Sequence, residues 1–98
     1  MNNLDFHRLS TVCGWLNTLP LYMFQGELTA SLMLHAYAAL EDGGGLESMD
    51  HGVRMVLNYQ ASLEQPLHHQ QFVEILEQVL AGQPPEELVA FLARETTH

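Results

Sequence analysis

The chain has 98 residues, 47% of them apolar, which predicts one domain spanning 1–98 with its own modest core and argues against intrinsic disorder. Twelve acids face three arginines, Arg8, Arg54 and Arg94, and lysine is absent, leaving a net charge of −9. Such a surface repels phosphate backbones and anionic membranes, so no direct nucleic-acid or membrane partner is expected, whereas a basic protein surface would be attracted.

In chain order, the first predicted element is a helix over about 3–17. Phe6, Leu9, Cys13 and Leu16 follow helical spacing, with Val12 beside them. Gly14 weakens this helix, and Thr18-Leu19-Pro20 marks a stop or a sharp bend. Leu21 to Phe24 reads either as a turn of helix from Pro20 or as an extended link ending at Gly26.

The segment 27–42 predicts the helix around which the rest is arranged. No charge occurs between Glu27 and Glu41, and no Gly or Pro interrupts the run. Leu28, Leu32, Ala36 and Ala39 share one face, Met33, Tyr37 and Leu40 widen it, and Leu34 and Ala38 lie well round from it. A helix apolar on nearly all sides is expected to be central, with neighbours around it.

Gly43-Gly44-Gly45 ends that helix with residues suited to a left-handed cap. The next helix is expected over about 46–63, with an apolar stripe of Met49, Val53, Val56 and Leu57. Glu47 with His51 and Asp50 with Arg54 are spaced to pair on its wet face, and Gly52 is a weak point. Beyond Pro66, the run 67–81 places Phe72, Ile75, Leu76, Val79 and Leu80 on a buried side. Gly82 closes it. Pro84-Pro85-Glu86-Glu87 opens a last short helix carrying Leu88, Val89, Phe91 and Leu92.

No segment alternates as a strand does. The expected fold is all-α: a small bundle or helical-hairpin array of four to five helices around the central helix at 27–42. The pairs 27–63 and 67–95 have the size of tetratricopeptide hairpins, but the Trp, Leu-Gly, Tyr and Ala spacing of that repeat is absent.

Residue patterns for catalysis are weak. Cys13 has no histidine on its helical face, since His7 lies six residues earlier, and Cys13 is expected to be a small buried hydrophobe. It has no partner for a disulfide within the chain. Glu86 and Glu87 read as helix-dipole partners, and the three glycines lack the Lys and Ser/Thr of a phosphate loop. An enzyme is therefore not expected, nor is a cofactor.

Six histidines raise the alternative of a metal- or small-ligand-binding helical bundle using His35, His51, His68 or His69. His68 and His69 are adjacent and so point about 100° apart on a helix, which is poor ligand spacing.

The apolar surplus is the stronger signal. Trp15, Leu19, Leu21, Tyr22, Met23 and Phe24 cluster around Pro20. Burying all six from one short, bent segment is hard, and exposed aromatic groups suit an interface. They are the predicted partner-binding residues, with Tyr59 and Arg54 at a rim.

The stretch Leu19–Leu40 is long enough to consider as a membrane span but carries Gln25, Glu27 and His35, and no leader pattern opens the chain. The expected setting is cytoplasmic. In size and composition the chain resembles bacterial antiactivators and secretion chaperones as a class. The expected function is that of a small acidic regulator that sequesters or escorts a partner protein through an apolar helical surface, as an antiactivator, secretion chaperone or immunity-type adaptor. The expected partner is another protein, such as a transcriptional regulator or a secreted subunit, and homodimerisation through the same surface is expected.

Overall fold

Five α-helices follow one another in the computed structural model, which describes residues 3–20, 26–43 and 45–95. They are α1 (Asn3–Leu16), α2 (Gly26–Glu41), α3 (Glu47–Ala61), α4 (His69–Leu80) and α5 (Glu86–Glu95). No strand occurs among the described residues, so the chain is all-α as its periodicities predict. None of these helices is long and apolar enough to cross a membrane. The chain divides into two compact units, Met1–Met49 and Asp50–His98, with the boundary after the first turn of α3.

In the first unit α1 packs on α2. Arg8, early in α1, meets Glu41, at the end of α2, at 3.8 Å, so the two helices run antiparallel. The pair is solvent-exposed and contributes at most about 1 kcal/mol. The buried side of α1 is Val12, Trp15 and Leu16, continued by Leu19. This corrects the predicted stripe: Phe6 is 66% exposed, and Cys13 is exposed as well rather than a buried hydrophobe. The predicted and observed stripes share Val12 and Leu16. The one holding Trp15 and Leu19 buries more apolar surface, and burial free energy scales with that area.

Leu19 reaches the core because α1 ends in a tightened turn. The Thr18 and Leu19 N–H groups donate to the Trp15 and Leu16 carbonyls at 2.9 and 3.0 Å. The Thr18 hydroxyl adds a 2.6 Å bond to the same Trp15 carbonyl. Pro20 then has no N–H to continue the ladder.

Helix α2 buries Leu28, Leu32 and Ala36, the face its spacing predicts. Its far side is not covered: Leu34 is 72% exposed, between the exposed Ala30 and Ala38. Gly43, at φ 78°, ends the helix in the left-handed conformation that glycine adopts without strain. The Gly43 N–H donates to Leu40 O at 3.1 Å.

In the second unit the buried side chains are Val53 and Val56 of α3, Phe72 and Leu76 of α4, and Leu88 and Phe91 of α5. Helix α3 is the element both others touch. Gly52 faces Leu76, Val79 and Leu80 of α4 so closely that a Cβ there would lie 3.2 Å from the Leu76 and Leu80 methyls. Further along, the rings of Tyr59 and Phe91 meet edge-to-face with centroids 5.7 Å apart, joining α3 to α5. Gly52, a defect by propensity, is the point of close approach between helices. Leu80, predicted to be buried, is partly exposed at the end of α4.

Helix α4 begins two residues later than its apolar run predicts because His68 caps it. Its Nδ1 accepts from the Gln70 N–H at 3.3 Å, and the Gln71 side chain accepts from the His68 N–H at 3.0 Å, a reciprocal capping box. The helix closes in a Schellman motif. The Gly82 N–H donates to Val79 O at 3.0 Å and the Gln83 N–H to Gln78 O at 2.8 Å, with Gly82 at φ 79°.

Replacing His68 with Ala removes the cap acceptor and should cost about 1 kcal/mol in urea unfolding. His68→Asp keeps an acceptor and adds a charge favourable at a helix start, so it should retain or exceed the parent stability. Equal destabilisation by both substitutions would show that His68 acts through its ring contacts and not as a cap.

Candidate protein-binding surface

The predicted interface segment separates into two parts. Trp15 and Leu19 are core residues, turned inward by the end of α1. Leu21, Tyr22, Met23 and Phe24 lie outside the described residues. The two described members of the cluster therefore present little surface to a partner.

Among the described residues, exposed apolar surface lies on other elements. In the first unit it is the outer side of α2. Ala30, Leu34 and Ala38 follow one another at four-residue spacing, with Glu27 and Glu41 at the two ends of the same helix. The small residues lower the surface on either side of Leu34, so another helix can approach closely there. Among the described residues of this unit, Phe6 of α1 is the other large exposed apolar group.

In the second unit the C-terminal halves of α3 and α5 enclose an open groove of about 530 Å³. Met55, Ala61, Phe91 and Leu92 supply its apolar lining, and Asn58, Ser62 and Glu95 its polar part. The Ser62 hydroxyl is turned back on its own helix, donating to Tyr59 O at 2.6 Å. Arg54, proposed for a rim, is held one turn away by Asp50, with its Nε 3.0 and 3.1 Å from the two carboxylate oxygens. Tyr59 packs on Phe91.

His35, His68 and His69 make local contacts. His35 Nδ1 lies 2.8 Å from Ser31 O, one turn earlier on α2. His68 caps α4, and its ring lies against that of His69 with centroids 4.1 Å apart. No group of three His, Cys, Asp or Glu side chains is placed to hold a metal ion among the described residues.

Neither surface was singled out by its sequence, although both left traces. Leu34 and Ala38 fall off the buried stripe of α2, in a helix with no charged residue between Glu27 and Glu41. Met55 and Asn58 of α3, with Ser62 just past its end, form a second stripe distinct from Met49, Val53 and Val56. Comparison with protein-family models, curated sequences and solved structures finds no match for this chain.

Proposed function

We propose that this chain is a small acidic regulator that works by binding another protein, which it sequesters or escorts. The observation that carries the reading is Leu34, large, apolar and 72% exposed between Ala30 and Ala38 on a helix with no polar residue from Ala30 to Ala38 other than Ser31, His35 and Tyr37. Contiguous exposed apolar faces often mark partner sites on small proteins. An antiactivator, a secretion chaperone and an immunity-type adaptor share this physics: an apolar helical surface covers a partner surface that would otherwise assemble. A transcriptional regulator or a secreted subunit suits the role, in the cytoplasm. Any effect on transcription runs through a gripped regulator, because a net charge of −9 gives no counterion-release gain on DNA. A homodimer through the same face is the self-associating form of the proposal.

The test is affinity capture from the native cell with the full chain and with Leu34→Asp, followed by mass spectrometry, with sedimentation of each protein alone. The expected result is a stoichiometric partner, or a dimer, retained by the parent and weakened at least about tenfold by the variant. Circular dichroism of Leu34→Asp should match the parent, since Leu34 contributes little to the core. A parent that stays monomeric and captures nothing specific would overturn the reading. Association should also slow as salt is raised, because the long-range attraction of a basic partner is screened.

A further inference from the structure

We infer that the groove between α3 and α5 seats a basic amphipathic helix of a partner protein, with an apolar side chain on Met55, Phe91 and Leu92 and an arginine or lysine beside Glu95. The inference rests on the protein-binding reading above and names the chemistry of the partner.

The shape comes first. Met55, Asn58 and Ser62 line one side at spacings of three and four, and Phe91, Leu92 and Glu95 line the other at helical spacing. Two rows of helical pitch accept the ridges of a third helix. The volume of about 530 Å³ would hold a small molecule, but such ligands have most of their surface enclosed, and this groove is open along one side. A helix laid in a groove needs only its apolar face covered.

Charge selects the occupant. Both helices line the groove with their C-terminal halves, so the negative ends of two helix dipoles lie at the same place. Glu95 adds a carboxylate to the lining. The unit as a whole has seven carboxylates against two arginines, a net charge of −5. Of the arginines, Arg54 is engaged by Asp50, and Arg94 lies about 100° round α5 from Glu95 and does not line the groove. A second copy of this chain would bring its own acids to the groove and is disfavoured. A partner helix with Arg or Lys one turn from a large apolar residue satisfies both the lining and the charge. An arginine also lays its aliphatic stem on apolar groups while its head reaches a carboxylate.

The test is selection of displayed helical peptides of about 16 residues, roughly 24 Å long, on the immobilised full chain. Affinities of the recovered peptides are then measured by fluorescence anisotropy against the parent, Met55→Asp, Glu95→Arg and Leu34→Asp. The expected result is enrichment of Arg or Lys one turn from a large apolar residue. Met55→Asp should weaken these peptides about tenfold or more. Glu95→Arg should weaken them about threefold or more and erase their preference over charge-reversed versions. Met55 is half-buried, so if Met55→Asp unfolds the chain, the exposed Glu95→Arg carries the decision. Peptides without basic enrichment, peptides indifferent to both groove variants, or recovery of no peptide would overturn the inference. Peptides lost only on Leu34→Asp would also overturn it, moving the binding surface to α2 while leaving the protein-binding reading intact.

Discussion

Leu76→Ala is expected to destabilise the protein by about 2–5 kcal/mol, and Leu32→Ala by a similar amount. Leu76 is fully buried in α4, and Leu32 is 1% exposed in α2. Each truncation removes methyl groups from water-free surroundings and leaves a cavity that its neighbours fill only in part, so the transfer loss and the cavity cost add. Domains of this size have only about 5–15 kcal/mol of stability, so either change is a large fraction of the whole. The two residues belong to different compact units, one in Met1–Met49 and the other in Asp50–His98. Urea unfolding followed by circular dichroism reads both. A cost below about 1 kcal/mol at either position would show that the face is less tightly packed than its burial implies. Leu34→Ala is the control on the same helix as Leu32. It removes an exposed side chain and should change stability by less than about 0.5 kcal/mol.

Gly52→Val is expected to cost about 1–3 kcal/mol, although valine at an exposed helix position would be better tolerated than glycine. A Cβ at Gly52 already lies 3.2 Å from the ends of Leu76 and Leu80 and 3.6 Å from Val79, and valine adds two methyls beyond it. Those methyls must displace α4 or force its side chains off their rotamers. Gly52→Ala tests the same contact gently. The Leu76 and Leu80 methyls must move by a few tenths of an ångström, which opposes a propensity gain of about 1 kcal/mol, so the net effect should be small. Gly14 provides the contrast, since a Cβ there meets nothing within 4 Å. Gly14→Ala should therefore stabilise α1 by up to about 1 kcal/mol, measured as a rise in the urea midpoint. If both glycines responded alike, the close approach of α3 and α4 at Gly52 would not be what fixes that residue.

Local chemistry made much of the fold legible in the sequence. The uninterrupted run of Ala, Leu and Met after Glu27 specifies α2, and the spacing of Leu28, Leu32 and Ala36 specifies its buried face, because helical geometry puts those residues in one row. Gly43 and Gly82 mark helix ends because both sit at positive φ, which other residues adopt only with strain. The pairing of Asp50 with Arg54 follows from four-residue spacing alone.

The candidate surfaces were less legible. Which apolar groups stay exposed depends on what is packed over them, and periodicity does not carry that information. On α1 the predicted stripe holds at Val12 and Leu16, but packing on α2 buries Trp15 beside them and leaves Phe6 and Cys13 exposed. Trp15 and Leu19, read as surplus, are core because the turn before Pro20 folds Leu19 inward. Leu34 reads as one more apolar residue of an apolar helix, and only the arrangement of neighbours leaves it in solvent.

The sequence by itself determined the helices, their ends to within about two residues, the absence of strands among the described residues and the acidic character. Each of these is set by backbone propensity, by turn chemistry or by counting charges, within a few residues along the chain. Tertiary structure alone decided the role of Gly52, the inward turn of Trp15, the solvent exposure of Leu34 and the groove beside Met55 and Glu95. Each of these depends on residues from separate helices meeting in space, where burial free energy and close packing outweigh local preference.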